Sequence, residues 1–141
     1  MMVYVDTSVL VALCVREPKS EASANWYASC HDELISGVWC VTEFASALAL
    51  KQRTGQISDE QSASAWRDFE RLCATDLQLT PIEPPVFHRA AVLSLDASIA
   101  LRAGDALHLA TALDCKAHAM ATLDAALARA AKVKDIDSVD I

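Results

Sequence analysis

Apolar positions along this chain fall in short runs separated by stretches with helical spacing, so strands and helices are expected to alternate. Val3-Tyr4-Val5 is a run of β-formers and predicts a strand buried on both faces. Asp6 ends that run, and Thr7 and Ser8 are residue types that favour a helix N-cap. Val9 to Leu13 then predicts a helix despite its valines. Pro18 breaks the chain, and Ser20 to Cys30 predicts a second helix carrying Trp26 and Tyr27. Glu33 to Ser36 predicts a short strand. Trp39 to Arg53 predicts a helix with Val41, Phe44, Ala45 and Leu48 on one face, stopped by Gly55. Ser58 and Gln61 have the spacing of a capping box that opens a further helix, reaching about Cys73. Joined by a short turn, these two long helices predict a hairpin-like arm.

Leu77 to Pro81 predicts another strand, followed by Pro84-Pro85 and a helix from about Val86 to Leu95. Gly104 precedes a helix predicted over Asp105 to about Ala117. Ala119 to Leu123 predicts a strand that ends at Asp124, Ala125 to Ala131 a helix, and Ile136 to Ile141 an edge strand. The alternation argues for an α/β fold around a parallel sheet. Ligands of such sheets bind at the carboxyl ends of the strands, which puts Asp6 at the centre of any active site.

Composition narrows the picture. With 53% hydrophobic and 22% charged residues over 141 positions, the chain can bury a sizeable core, and disorder is not expected. No linker, repeat or low-complexity tract divides it, so one domain spanning residues 1–141 is expected. No apolar run is long enough to cross a membrane and the N-terminus lacks a basic region, so a cytoplasmic location is expected. The five cysteines are scattered without Cys-x-x-Cys spacing, which supports neither a zinc cluster nor a disulfide framework. A net charge of −7 argues, taken alone, against nucleic-acid binding. It is compatible with a basic protein partner, or with a cation-loaded acidic site that handles phosphates.

Placement selects among the 19 acidic residues. Asp6 and Asp124 each follow an apolar strand and precede a helix, Asp105 lies in the first turn of its helix, and Glu43 lies mid-helix among small and apolar neighbours. Each has a plain structural reading, as a helix cap or dipole partner for the aspartates and as part of a solvated face for Glu43. Convergence would change their meaning. Like charges about 4 Å apart repel by roughly 4 kcal/mol at an effective dielectric of 20. Such a cluster must take up protons or bind a cation, and oxygen donors favour Mg²⁺ or Mn²⁺.

Val3-Tyr4-Val5-Asp6-Thr7-Ser8, Thr42-Glu43-Phe44, Gly104-Asp105-Ala106-Leu107-His108-Leu109-Ala110 and Thr122-Leu123-Asp124 together resemble the successive motifs of the PIN domain. The nearest likeness is to VapC-type toxins of toxin–antitoxin modules. The resemblance implies a PIN-like three-layer sandwich whose central, mainly parallel sheet is flanked by helices. It implies a metal-dependent endoribonuclease that hydrolyses RNA with Mg²⁺ or Mn²⁺, a homodimer, and a small VapB-type antitoxin as partner. By position it makes Asp6, Glu43, Asp105 and Asp124 the catalytic, metal-site acids, with Thr7 or Ser8 in support.

Other residues carry two readings each. His108, one turn after Asp105, could face the site or be packed and hydrogen-bonded. Arg102 could hold RNA phosphate or pair with Asp105 or Asp96. Trp26, Trp39 and Trp66 could stack bases or pack in the core or at a dimer contact, and Lys51-Gln52-Arg53 is one of the few local basic clusters or only a solvated helix end. Among rivals, a haloacid-dehalogenase-type phosphatase with Asp6 as nucleophile wants an acid where Ser8 stands. A non-catalytic PIN-like binding module is disfavoured by the retained acids.

Overall fold

The computed structural model describes residues 1–141. Its elements are β1 (Met2–Val5), α1 (Thr7–Cys14), α2 (Ser20–Ser29), β2 (Glu33–Gly37), α3 (Trp39–Arg53) and α4 (Asp59–Thr75). There follow β3 (Leu77–Thr80), α5 (Pro84–Leu95), α6 (Ala103–Asp114), β4 (Ala119–Ala121), α7 (Ala125–Val133) and β5 (Asp137–Ser138). The five strands form one sheet in the order β3-β2-β1-β4-β5, and all four pairings are parallel. No helix is long and apolar enough to cross a membrane.

Side-chain alternation along the strands sorts the helices into two layers. On one face Tyr4, Ile35 and Met120 pack with α5, α6 and α7, and on the other Val3, Val5, Leu77, Ala119 and Ala121 pack with α1, α3 and α4. The result is the three-layer sandwich expected. The α3–α4 hairpin is docked on the sheet, for Phe44 and Phe69 are buried and stack at 4.2 Å. Cys40, Phe44 and Leu48 line its buried side, whereas Ala45, expected there, is exposed.

Helix ends show where local signals suffice. Ser58 and Gln61 make the reciprocal capping box. The residue after the α3 C-cap, Gly55, has φ +76, and the hydrogen bonds Gly55 N to Gln52 O and Gln56 N to Lys51 O close a Schellman turn. The same turn ends α6 at Asp114, three residues short of the expected Ala117, with Lys116 at φ 57 in the position glycine usually fills. β4 ends at Ala121 and not at Leu123, and β5 covers only Asp137–Ser138 of the expected tail strand. At the start of α1 the cap position belongs to Asp6, so Thr7 and Ser8 lie inside the helix.

Candidate active site

Strand order reverses at β1, whose neighbours β2 and β4 lead in opposite directions across the sheet. A crevice forms at the carboxyl end of such a strand, and Asp6 lies there with 4% of its surface exposed. Its backbone N–H continues the ladder to Ala121 O at 2.9 Å. The carboxylate makes no capping hydrogen bond to α1. Instead Oδ2 accepts from Ser8 Oγ at 2.6 Å and from Thr122 Oγ1 at 2.8 Å, while Ser8 Oγ accepts from Leu123 N at 2.9 Å. These bonds lock the tip of β1 to the residues after β4.

Glu43 reaches the same point from α3. Its Oε1 accepts from Thr7 Oγ1 at 2.7 Å and is hydrogen-bonded to His108 Nε2. Gly104 makes room for the other oxygen, because a Cβ there would stand 3.1 Å from Oε2 and 3.5 Å from Trp39 Nε1. The Trp39 indole N–H is buried beside the carboxylate without a hydrogen-bond partner at good geometry. His108 is 1% exposed, with Nδ1 2.7 Å from the Tyr4 hydroxyl and Nε2 3.5 Å from Asp6 Oδ1. Ligand-type atoms of Asp6, Glu43 and His108 thus all lie within 4.8 Å of one another.

Asp105, in the first turn of α6, and Asp124, at the start of α7, are both half-buried. Asp124 is the N-cap of α7, its Oδ1 accepting from Ala126 N at 2.8 Å and Leu127 N at 3.0 Å. No hydrogen bond reaches the Asp105 carboxylate. Burial, then the charges of Asp124 and Asp6, push its pKa up to about 6. Burial would also raise Glu43, but the hydrogen bond and charge of His108, with Thr7 and Trp39, outweigh it and hold the carboxyl below its ordinary value. Burial would lower His108, and the Glu43 hydrogen bond, then Asp6, raise it instead.

The structure therefore brings Asp6 and Glu43 together and places Asp105 within electrostatic reach of both and of Asp124, and Thr7 and Ser8 each hydrogen-bond to one of the acids. His108 satisfies both of its sequence readings, being packed, hydrogen-bonded and turned toward the acids. Thr122 and Tyr4 also join the cluster, although the sequence reading gave them no role. For Thr122 a signal existed, two residues before Asp124 at the end of a strand. Arg102 is exposed, and no ion pair joins it to Asp96 or Asp105, so the pairing alternative falls away. Lys51 is bound to Glu17 at 2.5 Å, and Trp66 packs on Phe44 and Phe69. All five cysteines are free, and burial raises Cys14 and Cys40 to about 12, which keeps them protonated.

Comparison with known proteins identifies the family and the fold. The family model described as "PIN domain" matches residues 3–133. Ribonuclease VapC45 of Mycobacterium tuberculosis is 31% identical over 112 residues, covering 79% of this chain and 75% of the relative. In fold, the chain is similar to Mycobacterium tuberculosis VapC20, a sarcin-ricin-loop-cleaving toxin, with a TM-score of 0.73 at 16% identity over 91% of this chain and 94% of the other. It is also similar to a chain of VapBC2 from Rickettsia felis, solved bound to a DNA fragment from their promoter, with a TM-score of 0.67 at 10% identity over 99% and 98% of the two chains.

Proposed function

We propose that this chain, which belongs to the PIN-domain family, is a VapC-type endoribonuclease in which Asp6, Glu43, Asp105 and Asp124 hold a divalent cation, Mg²⁺ or Mn²⁺. The observation that carries the reading is the convergence of Asp6 and Glu43, from two elements far apart in sequence, on atoms within 4.8 Å of one another, with Asp105 close enough to be raised by their charge. The donor set fits a hard cation, because carboxylate oxygens are what Mg²⁺ and Mn²⁺ prefer. Asp6 and Glu43 each commit one oxygen to protein donors and leave the other, Oδ1 and Oε2, without one. Crowded anions that respond by holding a proton more tightly are groups that a cation can satisfy.

At such a site a divalent ion supplies neutralisation of phosphate charge and activation of water. The chain's own residues do the positioning. Ser8 and Thr122 orient Asp6, and Thr7 and His108 orient Glu43. Asp105, with no protein donor of its own, is left free to face the ion. Exposed Arg102, the N-cap of α6 three residues before Asp105, is a positive charge suited to an RNA phosphate.

The family relationship extends the proposal to one domain over residues 1–141, a homodimer, and a small VapB-type antitoxin. The exposed Phe87, Val92 and Leu95 on α5 offer apolar surface for contact between copies. The decisive experiment titrates metal-free protein with Mg²⁺ and Mn²⁺ by calorimetry, and assays cleavage of structured RNAs with each ion and with chelator. Binding and chelator-sensitive cleavage, both lost in Asp6→Asn, are expected. A folded protein that binds neither ion at millimolar concentration would sink the mechanism.

A further inference from the structure

We propose that His108 is a positioning residue whose Nε2 permanently carries a hydrogen, fixing Glu43, and that it does not serve as a nitrogen ligand. This deepens the metal-site reading above and rests on it. By distance alone, Asp6, Glu43 and His108 could make either of two sites. An imidazole ligand would draw the site toward zinc, copper or nickel, whereas oxygen donors alone suit Mg²⁺ and Mn²⁺. The choice depends on which ring nitrogen bears the hydrogen, and that is set by the partner of the other nitrogen.

The partners can be followed from the backbone inward. The Gly37 N–H can only donate, and it donates to the Tyr4 hydroxyl oxygen at 3.0 Å. Tyr4 is fully buried, so its own O–H needs an acceptor, and His108 Nδ1 stands 2.7 Å away. Ser36 Oγ, which gives its own hydrogen to Val5 O at 2.7 Å, is also an acceptor beside Tyr4, so the firmer constraint on the ring lies at its other nitrogen. A ring nitrogen that accepts keeps its lone pair, so the neutral ring carries its hydrogen on Nε2. Nε2 in turn meets Glu43 Oε1, a carboxylate oxygen that can only accept. Should the ring take a second proton, Nε2 still carries one. In neither state does it offer a lone pair to a cation.

Gly37 is suited to this role for a second reason. A Cβ there would stand 3.0 Å from the Tyr4 oxygen and 3.2 Å from a Thr111 methyl carbon, so the backbone approaches Tyr4 as closely as it does only because position 37 has no side chain. The relay from Gly37 through Tyr4 and His108 thus ends by pinning Glu43 Oε1 from one side while Thr7 pins it from another. Oε2, against Gly104, is the oxygen left for a ligand.

The test labels histidine with ¹⁵N and reads two-bond proton–nitrogen correlations at about pH 8, with and without Mg²⁺. The chain has four histidines, and His108→Gln identifies the relevant signals. A protonated Nε2 is expected in both conditions, and pulsed EPR of the Mn²⁺-loaded protein should show no directly bound imidazole nitrogen. Tyr4→Phe should blur the preference between the two nitrogens. His108→Phe should weaken Mn²⁺ binding about 10–100-fold, the usual loss for a supporting partner, and His108→Gln, which can still donate an N–H, should recover part of it. A bare Nε2 on His108 in the wild-type spectra, or a bound nitrogen in the EPR, would overturn the proposal, and the EPR does so without any variant. Failure of both ions to bind would overturn the metal-site reading instead, and the metal-free spectra would still decide the ring.

Discussion

The two sides of the acidic cleft are built on opposite principles. On the side of β1 and α3, each of Asp6 and Glu43 has an oxygen held by two donors. On the side of α6, Asp105 has no donor and is raised to about 6 by burial and by its fellow acids. One side is rigid and already compensated within the protein. The other is left electrostatically unsatisfied. The cleft is thus pre-organised on one side and unsatisfied on the other, where the proposed cation would supply the counter-charge.

Substitutions can break that contrast. Asp6→Asn preserves shape and both hydroxyl contacts but removes a central charge, so metal-dependent RNA cleavage should fall beyond the 10–100-fold typical of supporting residues. Thermal melts should show Mn²⁺ stabilising the wild type and leaving this variant unmoved. Glu43→Gln should also abolish cleavage, yet in metal-free protein it should lower stability, by about 1–2 kcal/mol, because the charge-assisted bonds from His108 and Thr7 weaken. Denaturant melts of that variant equal to wild type would erase the distinction between the two sides.

Asp105→Asn should move stability the other way. Its carboxyl is raised from 3.8 to about 6, so the folded protein holds the proton more tightly than the unfolded chain. The ionised carboxylate therefore costs stability above about pH 6 in metal-free protein, and that cost disappears as pH falls toward 4. Since Asp105 is only half-buried and solvent screens it, the variant should gain about 1 kcal/mol at neutral pH and nothing near pH 4. Melts at both pH values, without metal, measure it. The smallest effect is expected at Gly104→Ala. The new methyl group crowds Glu43 Oε2, so Mn²⁺ affinity should fall by about threefold, below the loss of a supporting partner. Melting temperature should hold or rise, because alanine favours the helix that glycine weakens.

Much of this was legible in the sequence, for local reasons. The limits of α3, the capping box at Ser58 and Gln61, and the strand before Asp6 all depend on residues within a few positions of one another. The stop at Gly55 could be read because glycine announces a left-handed turn. The equivalent stop at Lys116 could not, because nothing in a lysine foretells φ 57. The four acids could be selected individually by their placement after strands and in helices. Their inequality could not, because it arises from contacts across the chain. Tyr4 and His108, 104 positions apart, are hydrogen-bonded, and Thr7 meets Glu43 from 36 positions away. Treated as one cluster of repelling charges, the acids would all respond alike to neutralisation. The donors around Asp6 and Glu43 set those two apart from Asp105.

The strand order has a consequence in time. Val3 pairs with Leu34 on one side and with Ala119 on the other, so the earliest of these five strands to be made is the central one and must wait for β4 to complete its pairing. Contacts of such wide separation form late and slowly. Asp6 is made well before Asp124, and Thr122, which orients Asp6, follows it by 116 positions. A nascent chain therefore carries no assembled cleft while the segment between β1 and β4 is being made. The chemistry proposed for it becomes possible only after Thr122 and Asp124 have emerged.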